Sequence, residues 1–201
     1  MPLDEYNRKR DFSKTPEPSG ERKPRARKSR KPTTLYFCVQ KHLASRLHYD
    51  LRLEHHGVLL SWAGPKGPSL DHRDKHMAVR TEDHPHDYGD FEGVIPEGYG
   101  AGVVMLWDYG TWQPEVDDID AALEKGDLKF TLDGYKLKGS WVLVRTRDRP
   151  GTAPSQQGRS WLLIKHRDHW SGALDITTFA PLSMKSEGDF EDILASDLPD
   201  V

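Results

Sequence analysis

One segment constrains this chain more than any other: residues 46–54 read RLHYDLRLE, a strict period-two alternation. Its odd positions are Leu47, Tyr49, Leu51 and Leu53; its even positions are Arg46, His48, Asp50, Arg52 and Glu54. Successive side chains of a strand point to opposite faces, so one face packs on a core and the other presents polar groups roughly 7 Å apart. Leu35, Phe37 and Val39 alternate in the same way, and 58–63, 77–81, 103–107, 128–132, 140–146 and 161–165 are further strand segments. Turn residues punctuate them, as at His55-His56-Gly57 and Asp133-Gly134. Only 117–125 reads as a helix, with an aspartate as N-cap and Gly126 as its stop. The pattern predicts a mainly β chain, a compact β-barrel of about eight strands with one or two short helices.

At 201 residues the chain suits one ordinary domain plus some tail. No apolar run approaches the roughly 18 residues of a membrane span, and MPLDEYNRKRDF lacks the apolar stretch of a secretory signal. Cys38 is the single cysteine, which excludes an intrachain disulfide and a thiolate zinc cluster and fits a reducing cytoplasm. The net charge of −3 hides an asymmetry: residues 1–33 hold eleven Lys/Arg against five Asp/Glu, leaving −9 for the remainder. The expected organisation is a basic arm over 1–32, a β domain over 33–184 and an acidic flexible tail over 185–201. The run RKPRARKSRK, from Arg22 to Lys31, reads either as a solubilising leader or as an arm for phosphates.

Eight of the ten histidines fall between His42 and His86. A solvated strand face favours Lys, Glu and Thr, whereas His48, Asp50 and Arg52 form a different set. Imidazole and carboxylate bind borderline or hard divalent metals, manganese and zinc among them. An adjacent guanidinium forks onto a phosphate. His42, placed just after the preceding strand, reaches the same centre if the intervening turn folds back. Two histidines and an aspartate with open positions describe a catalytic metal site, not a closed structural one. A second cluster, Thr81-Glu82-Asp83-His84-Pro85, offers His84 to protonate a leaving oxygen or hold a phosphoryl oxygen. No side chain stands out as a covalent nucleophile, which favours direct attack by water. Lys66, in a Pro-Lys-Gly-Pro loop, is a candidate contact for a nucleic-acid backbone. His55 and His56 sit in a turn outside this site, and Trp107 and Trp112 are expected to flank another turn.

The runs VQKHLASRLHYDLRLE (39–54), SWAGPKGPS (61–69), TEDHP (81–85), FEGVIPEG (91–98) and WDYGTW (107–112) resemble the 3′-phosphoesterase domain of bacterial DNA ligase D and its small stand-alone relatives. The resemblance extends over about residues 10–168. It implies a β-barrel in which His42, His48 and Asp50 match the manganese ligands and Arg52 and His84 the residues that hold phosphate. It also matches Arg10, Asp11 and Glu17 to an N-terminal arm over the active site, and Glu82 and Tyr88 to further residues needed for activity. The implied activity is manganese-dependent removal of a 3′-terminal ribonucleoside and then the 3′-phosphate from DNA or DNA–RNA ends. A 3′-hydroxyl is left for a separate polymerase, ligase or end-binding partner. A monomer in the cytoplasm, associated with the nucleoid, is the corresponding expectation.

IPEGYGAG is one residue shorter than the family pattern between Gly98 and Tyr99, and His76 and His86 stand where other residues are usual. With no Lys-x-Asp-Gly nucleotidyl motif and no Gly-rich phosphate loop, the resemblance is to a free-standing version. Two other readings are a non-catalytic module of the same family that grips DNA ends and a cupin-like metal barrel for a small molecule. Arg52 and the basic arm favour a phosphate substrate over the latter.

Overall fold

The alternating segments pair into one closed sheet. The computed structural model describes residues 3–20 and 35–197, so the basic run from Arg22 to Lys31 lies outside the described residues. The strands are Leu35–Leu43 (β1), Leu47–His55 (β2), Val58–Gly64 (β3), His76–Arg80 (β4), His84–Pro85 (β5), Gly93–Ile95 (β6), Gly102–Pro114 (β7), Asp127–Gly134 (β8), Lys138–Arg145 (β9) and Ser160–Lys165 (β10). The order β1-β2-β3-β4-β10-β9-β8-β7 is antiparallel throughout and closes because β7 also pairs with β1, from Leu35↔Trp112 to Leu43↔Val103. An eight-stranded antiparallel barrel results, as the alternation predicts; β5 adds to β3 and β6 to β7.

The odd face of the first hairpin fills the barrel. Phe37 and Val39 of β1, Tyr49, Leu51 and Leu53 of β2, and Leu60 and Trp62 of β3 join Met105, Phe130, Trp141 and Leu143 in one buried cluster. Trp107 and Trp112 do not flank a turn. Both lie within β7, fully buried, because β7 is a thirteen-residue strand whose register against β1 shifts at Val39/Gln40. An irregularity of this kind bends a strand, as a barrel wall requires.

Among the described residues four short α-helices accompany the barrel: Asp4–Arg8 (α1), Ile119–Lys125 (α2), Ile176–Phe179 (α3) and Phe190–Ser196 (α4). In α2, Asp118 accepts from the Ala121 amide and Gly126 ends the helix at φ 81°, as its capping residues predict. The segment expected as an acidic flexible tail, 185–201, contains α4. Asp189 caps it and Asp192 returns the bond to the Asp189 amide, a reciprocal capping box. Ile193, 3% exposed, then joins the main core. The acids that read as a solvated tail serve as the cap and as partners of the helix dipole.

Candidate active site

The even face of the first hairpin points away from the barrel core, yet it is not solvated. A second buried layer, built from Tyr6, Leu59 and Tyr88 with Leu3, Phe12, Tyr36 and Phe91 packed around it, closes over this side. Residues 3–20 and the 81–92 segment supply most of that layer, and Tyr36 of β1 and Leu59 of β3 complete it. Gln40, Asp50, Arg52, Ser61 and His84 are all buried beneath it. A cavity of about 210 Å³ remains, lined by His42, His48, Asp50, Arg52, His84 and Tyr99 among others.

His42 does not enter from a separate turn. It lies inside β1, directly opposite His48, because a three-residue connection (44–46) closes the hairpin at the Leu43↔Leu47 pair. Gln40 pairs with Asp50 in the same register, and Arg52 with Ser61 across the next pair of strands. The donor atoms of His42, His48 and Asp50 all lie within 4.8 Å of one another. His42 Nε2 lies 2.9 Å from the Gly100 carbonyl and His48 Nδ1 lies 3.0 Å from the Arg46 carbonyl. A carbonyl only accepts, so each of these nitrogens carries the hydrogen. That leaves His42 Nδ1 and His48 Nε2 with lone pairs, at 3.8 and 3.7 Å from the same Asp50 oxygen, Oδ2. Fixing the tautomer through the outer nitrogen is how metal-binding histidines are oriented. The donor set therefore fits a divalent cation.

Arg52 is held on three sides. Its Nε donates to Gln40 Oε1 at 2.6 Å, and its two terminal nitrogens donate to Ser61 Oγ at 2.8 Å and Asp50 Oδ2 at 3.2 Å. A guanidinium has five N–H donors, so two remain for a ligand. Burial alone would raise the Asp50 carboxyl, but the Arg52 guanidinium beside it outweighs burial and holds the acid well below its usual range. Burial likewise opposes charge on His48, yet the Asp50 carboxylate raises it. Burial and the charges of Arg52 and Arg10 hold His84 well below the ordinary histidine value. Its neutral ring donates from Nδ1 to the Glu82 carbonyl at 2.9 Å, so Nε2 accepts from Arg10 at 3.3 Å.

Arg10 brings the N-terminal segment into the same network. It pairs with Glu17 at 2.9 Å and Glu82 at 3.1 Å, and it lies 3.9 Å above the Tyr6 ring. The Tyr88 hydroxyl, whose acidity burial suppresses strongly, donates to Glu17 at 3.0 Å. The structure thus gathers His42, His48, Asp50, Arg52, His84, Arg10, Glu17, Glu82 and Tyr88 around one cavity. Two other predicted residues stand apart. Asp11 bonds within its own turn to Ser13 and lines a neighbouring cavity of about 350 Å³. Lys66 lines a different cavity with Asp71 and Asp74. His76 is turned to the Gly67 carbonyl and His86 to Glu54, so neither joins the centre.

Sequence reasoning missed Gln40, Ser61, Tyr6 and Lys9, the last bonded to Glu82 at 2.9 Å. Gln40 and Ser61 gave no signal in the sequence, since only strand register sets them opposite Asp50 and Arg52.

The residues 40–145 that carry most of this centre match the family described as the DNA Ligase D 3′-phosphoesterase domain. The chain is 56% identical over 177 residues to the multifunctional non-homologous end joining protein LigD of Pseudomonas aeruginosa, covering 87% of this chain and 20% of that protein. It is 44% identical over 145 residues to the multifunctional non-homologous end joining DNA repair protein LigD of Mycobacterium tuberculosis, covering 72% and 18%. It is 37% identical over 192 residues to LigD of Mycolicibacterium smegmatis, covering 92% and 23%. The chain thus spans about a fifth of the length of these relatives. With the matched segment running through the paired histidines, Asp50, Arg52 and His84, the chain belongs to the DNA ligase D 3′-phosphoesterase domain family.

Proposed function

We propose that the protein is a metal-dependent phosphoesterase acting on DNA 3′ ends, removing a 3′-phosphate and a 3′-terminal ribonucleoside to leave a 3′-hydroxyl. The observation that carries this reading is the pair of histidine tautomers, each set by a carbonyl so that its lone pair faces Asp50 Oδ2 beside Arg52. His42, His48 and Asp50 would hold the ion, with manganese first and zinc as the second choice for this donor set. When bound, such an ion polarises a phosphoryl oxygen and acidifies a water.

Charge balance supports a phosphate ligand. Lys9, Arg10 and Arg52 face Glu17, Asp50 and Glu82 in and beside the cavity, so the fixed charges cancel. A phosphate dianion arriving with a divalent cation leaves that balance intact. The two unused N–H groups of Arg52 are placed to take charge that builds on the equatorial oxygens. His84, unprotonated at Nε2, enters as a hydrogen-bond acceptor and not as an acid. It would hold or receive a proton on the substrate side while Arg10 turns from it to a phosphoryl oxygen. The wider cavity lined by Lys9, Lys14 and Tyr99 leaves room for the nucleotide to which the phosphate is attached. The names of the relatives, which join end joining with DNA repair, agree with DNA ends as the substrate.

The test is phosphate release from a duplex carrying a 3′-phosphate, with manganese and with a chelator. Loss of one ligand removes several kcal/mol of charge stabilisation, so His42→Ala and Asp50→Ala should each lose on the order of 10³-fold in rate. Undiminished release in either variant would refute the assignment. Binding of the duplex without any release by the wild type would instead mark a non-catalytic end-binding module.

A further inference from the structure

At the other end of β2, seven residues and about 23 Å from His48 along the strand, stands a second convergence of metal-binding groups. The β2–β3 hairpin closes at the His55↔Val58 pair, leaving His56 and Gly57 as a two-residue turn. Both have positive φ, 49° and 79°. A tight hairpin of this kind is usually made by Asn-Gly; histidine also accepts positive φ, but its choice over Asn at the first position needs a reason.

The backbone supplies one. Adjacent residues of a strand point to opposite faces, but the left-handed turn at His56 swings its ring to the side of His55, and the two ring centroids lie 3.9 Å apart. Both rings converge on one carboxylate from a different element. His55 Nε2 is 2.8 Å from Asp120 Oδ1 and His56 Nε2 is 3.0 Å from Asp120 Oδ2, Asp120 lying in the first turn of α2. The donor atoms of the three residues lie within 4.8 Å of one another. Tetrahedral ligands about 2.1 Å from a metal are about 3.4 Å apart, roughly half an ångström wider than the nitrogen–oxygen spacings here.

Hydrogen bonds alone explain the arrangement less well. Asp120 is two-thirds exposed, at 66%, and ion pairs with so exposed a carboxylate contribute little. Two protonated imidazoles in contact would also repel, whereas a shared cation uses both rings neutral. Two nitrogens and one carboxylate, with open positions towards solvent, suit borderline divalent ions of the zinc class better than hard ones.

We propose that His55, His56 and Asp120 form a second cation site, for zinc-class ions, that clasps the β2–β3 hairpin to α2. This site is separate from the His42 centre and needs no assumption about it. The test is zinc titration of chelator-stripped full-length protein by calorimetry, wild type against His56→Asn and Asp120→Asn. Asn suits the turn, so His56→Asn should fold and melt at the wild-type temperature or above it when metal is absent. The wild type should take up one zinc more per chain than His56→Asn, at micromolar affinity, whether or not the His42 centre also fills. Asp120→Asn should weaken that extra zinc at least tenfold. Zinc should raise the melting temperature of the wild type by several degrees more than that of His56→Asn. Equal zinc stoichiometry and equal melting shifts in wild type and His56→Asn would overturn the proposal.

Discussion

His84 stays neutral at pH 7 because burial and the guanidinium groups of Arg52 and Arg10 hold it well below the ordinary histidine value of about 6.5. A group that binds its proton less readily when folded favours the unfolded chain as acid is added. Its contribution to stability therefore falls as pH drops below about 6.5, and levels off only below the folded value. His84→Asn keeps a donor for the Glu82 carbonyl and removes the titration. Between pH 7.5 and 5.5 the wild type should lose about 1 kcal/mol more stability than the variant, measured by urea unfolding without metal. Equal losses would mean that His84 is not held neutral. His48, Asp50 and Arg52 were legible in the sequence because alternation alone puts them on one face. Gln40 and Ser61 were not. An uncharged polar residue on the outer face of a strand reads as solvated until register sets it opposite Asp50 or Arg52. The roles of His42 and His84 came from family resemblance, and residue spacing gave only their availability.

Element by element, the barrel strands were legible because each alternates and each is bounded by turn residues. Three of the four helices among the described residues were not, and α4 shows why. Its sequence, FEDILAS, lies in a segment, 185–201, with six acids against one lysine, a composition shared with solvated tails. The helix forms because Asp189 and Asp192 satisfy its first amides, and it stays because Ile193 reaches the core beside β6 and β7. Removing that side chain to Cβ should cost roughly 2–4 kcal/mol, the usual range for a buried Ile→Ala change. For a domain of this length that corresponds to a melting temperature lower by roughly 5–15 °C. Calorimetry of Ile193→Ala checks it, and an unchanged melting temperature would return residues 185–197 to the status of a free tail. The hairpin of β1 and β2 carries the same lesson at the site. HLASRLH is nearly symmetric about its three-residue turn, so pairing Leu43 with Leu47 brings the histidines face to face. Choosing that turn over a longer one requires the register, and strand propensity does not encode it.

For the molecule as a whole, the fold is two layers of different character. The barrel interior is apolar and self-contained, while the working face lies outside it and is enclosed by chain from far away in sequence. Arg10 reaches Glu82 across 72 residues, and Tyr6, fully buried, anchors the segment by donating to the Pro18 carbonyl at 2.6 Å. Nothing in the local pattern of residues 3–20 announces this docking, because its partners belong to the 81–92 segment. The division makes a testable separation between folding and function. Deleting residues 1–20 leaves the main core intact, together with His42, His48 and Asp50 on their paired strands. It removes Arg10, Glu17 and Lys9, and it uncovers Tyr88 and Leu59. The shortened chain should therefore remain a folded barrel by near-UV circular dichroism and bind a hydrophobic dye that the full chain does not bind. It should keep manganese affinity within about tenfold, the lower end of what outer-shell changes cost. Release of a 3′-phosphate should fall by at least 10²-fold, as expected for loss of a preorganised charged donor. Retention of most activity would show that the arm covers the site without taking part in it. Loss of the barrel itself would show that the outer layer is needed for folding as well as for the site.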